Sequence, residues 1–177
     1  MSIDDSIKIM NEVLADKMPW LDTRKFASLV SIDGELAYAV EKEYKDRDNV
    51  MPSDVNGPIS YFVMRNGMGL KINGANALGF QRGQMMTFKI KQIFIINVDE
   101  VEDADESLFT DKISMCRSKI LDCYINKQIS TNFSINTYSE DLENVFDGVK
   151  VDKYTSMRYP YYYIGLDLSV VVTVDCL

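Results

Sequence analysis

The sequence predicts an α+β fold: a mostly antiparallel sheet with two main helices packed on one side. Three observations carry this. Leu166, Leu168, Val170, Val172 and Val174 fall on every second residue, with Asp167, Ser169, Thr173 and Asp175 between them. That is the period of a strand with one buried face. Met86, Phe88, Ile90, Phe94, Ile96 and Val98 repeat the pattern over a longer span, broken at Gln92, with Thr87, Lys89 and Lys91 facing the other way. Phe109, Ile113, Cys116, Ile120 and Cys123 step by four and three, the spacing of an amphipathic helix.

In chain order, Ser2 and Asp5 form a capping box with Asp in place of Glu, and Ile3, Ile7, Met10 and Leu14 mark one face of a first helix. Asp4 and Asp5 sit at its positive end. The helix is expected to end near Lys17, before Pro19. A strand runs up to Ile32, where Asp33-Gly34 is a hairpin signal. Glu35 to Tyr44 suits helix and strand alike. The charges from Glu41 to Asp48 alternate in sign and read as a solvated stretch. Met51 to Pro58 is a loop with two prolines and an Asn-Gly, and Ile59 to Met64 a short strand.

Gly67, Gly69, Gly74, Gly79 and Gly83 place five of the nine glycines in one region, which reads as an extended Gly-rich loop or hairpin. The helix carrying Phe109 is expected to begin near Ser107 and to end at Asn126. Ile129 to Tyr138 is a further strand, with Ile129, Thr131, Phe133 and Ile135 on one side. Ser139 to Asn144 is a helical turn capped by Ser139, and Val149 and Val151 suggest a small strand. The long C-terminal strand must dock in the sheet, since loose termini seldom carry such patterning.

The chain of 177 residues is read as a single domain, 1–177, with extended insertions at 35–58 and 65–84. Its length buries roughly two-thirds of the unfolded surface, so no staple is needed. It is 46% hydrophobic and 26% charged, with a formal net charge of -8. Such a chain repels phosphate on average, which disfavours direct gripping of nucleic acid. Met1 to Asp5 are polar and acidic rather than a basic lead into an apolar run, so a reducing cytoplasm is expected, with Cys116, Cys123 and Cys176 as thiols. No apolar stretch approaches the roughly 20 residues that span a bilayer.

Chemistry is sparse. Histidine is absent, which removes the commonest general base and metal ligand. Gly67-Met68-Gly69 continues into neither a dinucleotide loop nor a phosphate loop. Asp99, Glu100, Glu102, Asp103, Asp105 and Glu106 lack the glycine and spacing of a calcium loop and read as a solvated turn. Cys116 and Cys123 share the buried face of their helix and have no histidine base. The chain is therefore expected to be no enzyme, with no catalytic residue, metal or cofactor. Candidate contact residues are Gly67, Met68, Gly69, Asn73 and Gly74 of the flexible region, with Tyr159 and Tyr162. In the tyrosine cluster, Tyr161 and Tyr163 share a face for the core while Tyr162 points outward, where a tyrosine serves an interface.

The order of elements (an N-terminal helix, Ile59 to Met64, Met86 to Val98, Ser107 to Ile125 and Gly165 to Val174) resembles that of the tail terminator and head–tail connector proteins of tailed bacteriophages. The resemblance implies a virion structural protein whose copies form a ring around the DNA channel. It implies as partners copies of itself and neighbouring head–tail or tail proteins, with DNA passing through unbound and no membrane. The acidic run from Asp99 to Glu106 is then a candidate channel surface. This chain departs from the family in its length, through Glu35 to Pro58 and Arg65 to Gln84, which become arms or lumen loops. Two other readings stand beside it: a small cytosolic protein-binding module, and a histidine-independent enzyme using Asp, Glu, Lys or Tyr in a pocket formed by the glycine-rich loop.

Overall fold

The computed structural model describes residues 2–41, 47–52, 55, 57–64, 71–73, 84–101, 109–125, 132–150 and 159–174. The elements, in order, are α1 (Ile3–Lys17), β1 (Asp22–Ile32), β2 (Glu35–Glu41), β3 (Arg47–Asn49), β4 (Ile59–Met64), β5 (Lys71–Asn73), β6 (Gln84–Asn97), a 3-10 turn (Val98–Glu100), α2 (Phe109–Ile125), β7 (Phe133–Ser139), α3 (Leu142–Val145) and β8 (Tyr161–Val174). The strands form one sheet in the order β3-β2-β1-β4-β6-β8-β7, with β5 also beside β6. All pairings are antiparallel except β1 with β4. The fold is thus α+β with a mostly antiparallel sheet.

Local chemistry explains the ends of α1. Ser2 Oγ accepts from the Asp5 amide at 3.1 Å, and Asp5 Oδ2 accepts from the Ser2 amide at 2.9 Å. That pair satisfies two of the orphan donors of the first turn. The Met18 amide reaches back to the Leu14 carbonyl, and Pro19 prevents continuation. Between β1 and β2, Asp33 and Gly34 both take positive φ, 52° and 83°. This is the two-residue turn whose twist matches the strands it joins. The local turn chemistry decides residues 35–41 as strand, paired from Ile32↔Glu35 to Ala27↔Val40, while residues 42–44 lie outside the described residues.

The centre of the sheet is the β6–β8 ribbon, paired continuously from Gln84↔Val174 to Asn97↔Tyr161. β8 therefore starts four residues before Gly165, taking in the tyrosines. One face of the sheet carries α1 and α2. There Ile7, Met10, Leu14, Cys116 and Ile120 bury against Phe62, Ile90, Phe94, Ile164, Leu166 and Leu168. The other face is covered by α3, Phe146 and the segment at Val50 and Met51, over Tyr61, Ile93, Ile95 and Tyr163. Central strands are thus apolar on both faces, as β4 shows with five successive buried residues.

Several expectations are corrected. Tyr162 does not point outward: it is 7% exposed and lies on the helix face. Tyr161 and Tyr163 occupy the opposite face, stacked at 6.5 Å. β8 takes in the tyrosines, and its alternation puts Tyr162 with Ile164 and Leu166 on the helix face, while cover on the second face buries Tyr163 as well. The N-cap of α3 is Asp141, not Ser139; Ser139 Oγ instead accepts from the Asp141 amide. Val149 lies in a turn closed by its amide on the Phe146 carbonyl, not in a strand. Val151, Ile129 and Thr131 lie outside the described residues.

Candidate functional site

Among the described residues, those selected from the sequence do not converge on one site. Gly67, Met68, Gly69, Gly74, Glu102, Asp103, Asp105 and Glu106 lie outside the described residues. Asn73 is the last residue of β5, paired with Met85 rather than sitting in a free loop. Asp99 and Glu100 form the 3-10 turn after β6. The Asn97 side chain accepts from the Asp99 amide and donates to Glu100 Oε1 at 3.2 Å. Tyr159 is 64% exposed, donates to Asp99 Oδ1 at 3.0 Å, and sets its ring edge-on to Phe109 at 5.2 Å. Among the described residues, the predicted contact set and the acidic surface are brought together at Tyr159 and Asp99.

Two arrangements emerge that sequence reasoning missed. The first is the β1–β2 arm. β1 pairs with β4 only as far as Ala27↔Val63, but with β2 as far as Ile32. Ser28 to Ile32 thus have β2 alone as strand partner among the described residues. Leu29, Ile32 and Leu36 on this arm are 41%, 39% and 49% exposed, flanking Asp33. The register puts Leu29 and Leu36 on one face of the arm and Ile32 on the other, so the arm exposes aliphatic side chains on both faces beside a fixed turn.

The second is a polar cluster at the opposite end, where α2, β7 and β8 meet. Arg117 Nε and Nη2 lie 2.8 and 2.6 Å from Glu140 Oε1. The same oxygen accepts from the Tyr162 hydroxyl at 2.5 Å and from the Tyr138 hydroxyl. A bulge builds this site. The register of β7 on β8 slips between Ile135 and Thr137, so the extra residue reverses the alternation. Tyr138 consequently joins Phe133 and Ile135 on the helix face instead of following Ser134 and Asn136.

The electrostatics of this cluster are cooperative. Burial by itself pushes the Glu140 carboxyl up, but the Tyr138 and Tyr162 hydroxyls and Arg117 outweigh it, and the carboxyl is held below its ordinary value. The hydrogen bonds to Tyr162 and Tyr138 raise the Arg117 guanidinium above its own. Burial, then the Glu140 carboxylate, pushes the Tyr162 phenol well up. The cluster is therefore a neutral-pH ion pair with two protonated phenols.

On the other face, Lys91 is 3% exposed, with its Nζ on the Asn144 carbonyl and 3.9 Å from Asp167 Oδ1. It ties α3 to the sheet. An open groove of about 480 Å³ lies between α1 and β1, with Asp4, Lys8, Glu12 and Lys25 on its walls. Among the described residues no group of three or more Cys, Asp or Glu side chains could hold a metal. No described helix is long and apolar enough to cross a membrane. No protein-family model matches the chain, and no curated protein matches it.

Proposed function

We propose that this chain is a virion structural protein of a tailed bacteriophage, one copy in a ring of the head–tail connector or tail-terminator region. The observation that supports it best is the β1–β2 arm, with Leu29, Ile32 and Leu36 exposed around the Asp33-Gly34 turn. A ring needs two different surfaces per copy, each meeting the other on the next. The sheet offers two unlike ends, the β3–β2 side with its arm and the β7 side with its polar cluster. The net charge of -8 favours a bore through which DNA passes without sticking. Asp99 and Glu100 belong to this candidate channel surface.

Mass measurement in solution together with negative-stain images tests the reading. Annular particles are expected, and the double variant Ile32→Lys/Leu36→Lys is expected to stay monomeric with an unchanged melting temperature. A wild-type chain that remains monomeric at high concentration and with neighbouring neck or tail proteins present overturns it.

A further inference from the structure

We propose that Arg117, Tyr138 and Tyr162 form an exchangeable receptor for a carboxylate, held in the isolated chain by Glu140 and taken over on assembly by Asp33 of a second copy. The second copy rests on the ring reading above; the receptor itself does not.

The geometry of a receptor is on the page. Donors from three separate elements, α2, β7 and β8, converge on one oxygen of one carboxylate. Tyr162, 7% exposed, offers its hydroxyl from the wall of the core, and Tyr138 lies beside it with the two phenol oxygens 3.0 Å apart. A guanidinium with two hydroxyls is a donor set suited to carboxylate recognition, and it is pre-organised here by the β7 bulge. The occupant is less firmly built in. Glu140 belongs to neither β7 nor α3, and its side chain and that of Arg117 keep 35% and 40% of their surface in water. An incoming carboxylate can therefore reach the donors and replace Glu140 with no loss of charge balance.

The second copy supplies a matching group. The tip of the arm carries Asp33 between the exposed Ile32 and Leu36, held by a turn of fixed twist. Arm and receptor lie at opposite ends of the strand order, β2–β1 toward one side and β7–β8 toward the other. A copy so built presents an acidic finger toward one flank and, toward the other, a seat whose Arg117 is paired with Glu140 until that carboxylate swings out. With Glu140 swung out, Arg117 and the incoming Asp33 are complementary in charge, and the pairing is heterologous, as a ring requires.

The experiment has two arms. In the first, Glu140→Ala is melted in sodium acetate and in sodium chloride at equal ionic strength. Acetate is expected to raise its melting temperature dose-dependently, by about 2–4 °C at saturation. Arg117→Ala/Glu140→Ala is expected not to respond. Equal melting in the two salts overturns the receptor. In the second arm, association is followed by mass measurement against concentration. Glu140→Ala, with the placeholder gone, is expected to associate at about tenfold lower concentration than wild type. Asp33→Asn, which keeps the turn, is expected to need about tenfold more; these factors correspond to an ordinary coupling between two contacts. Unchanged midpoints in particles that still form overturn Asp33 as the occupant and leave the ring reading standing. A wild-type chain that never associates overturns both, even where acetate rescues Glu140→Ala.

Discussion

Arg117 on α2 and Glu140 beyond β7 are joined by an Nη2–Oε1 contact of 2.6 Å, and the same carboxylate oxygen receives the hydroxyls of Tyr138 and Tyr162. One atom thus ties a helix to the edge strand and to the central ribbon. Arg117→Ala leaves the buried Tyr162 hydroxyl facing a carboxylate without its counter-charge. The expected loss is about 1–2 kcal/mol, toward the low end for charged hydrogen bonds because the pair is partly in water. Denaturant melts of the variant at pH 7 measure it.

The same cluster sets a pH dependence. The folded-state pKa of Glu140 is lowered from its ordinary 4.5. The contribution is therefore fully present above that value and is lost as pH falls below it, through the folded pKa. Wild type and Glu140→Gln should differ most at neutral pH and converge on acidification. Parallel urea titrations from neutral to acid pH read this out, and a gap that widens on acidification contradicts it.

Gly165 of β8 lies against Val145 of α3. A Cβ at this position meets Val145 Cα and Cγ2 at 3.3 Å each. The Lys91 Nζ on the Asn144 carbonyl resists displacement of α3 from the sheet. Gly165→Ala is expected to cost about 1–3 kcal/mol by overpacking. Thermal melting of the variant checks the figure, with Gly148→Ala as a contrast, strained by its φ of 85° but with Leu29 no nearer than 3.9 Å.

Gly34 separates conformation from packing. Its φ is 83° and nothing lies within 4 Å of an added Cβ. Gly34→Ala should therefore cost about 1–2 kcal/mol by backbone strain alone, while Gly34→Asn, tolerant of that region, should cost less. Equal losses in chemical denaturation would show that the turn is not held in this conformation.

Gln92, the break in the apolar face of β6, is wholly buried and accepts from the Tyr124 hydroxyl. Tyr124→Phe leaves that carbonyl oxygen without its donor, at an expected cost of about 1–3 kcal/mol. Adding Gln92→Met removes the stranded group and should recover most of the loss. A double-mutant cycle on unfolding free energies tests the coupling.

How far the chain was readable depended on range. The buried faces of α1 and α2 and the helix-facing residues of β6 and β8 follow from periodicity, whereas Ile93, Ile95 and Tyr163, buried on the opposite face of the same two strands, do not show as a second stripe. Gln92 shows as a break, but its partner Tyr124 lies on another element, and no local pattern pairs them. Glu35 to Glu41 reads equally as helix, since Leu36, Ala39 and Val40 suit both periods; pairing with β1 across the Asp33-Gly34 turn decides it. Tyr162 is misplaced by reading the tyrosines apart from the last strand: β8 takes them in, and its alternation carried back from Leu166 through Ile164 puts Tyr162 on the helix face.

The candidate sites were less legible still. Tyr138 sits by alternation with Ser134 and Asn136, and only the β7 bulge turns it toward Arg117. Exposure of Leu29, Ile32 and Leu36 depends on how far β4 extends beside β1, a fact of register. By itself, the order of residues determined the α+β class, the capped first helix, the hairpin turn and the two long strands, because these rest on interactions within a few neighbours. The tertiary structure alone decided which polar groups meet, since Arg117, Tyr138, Glu140 and Tyr162 converge through a strand irregularity and two chain reversals that local energies do not encode.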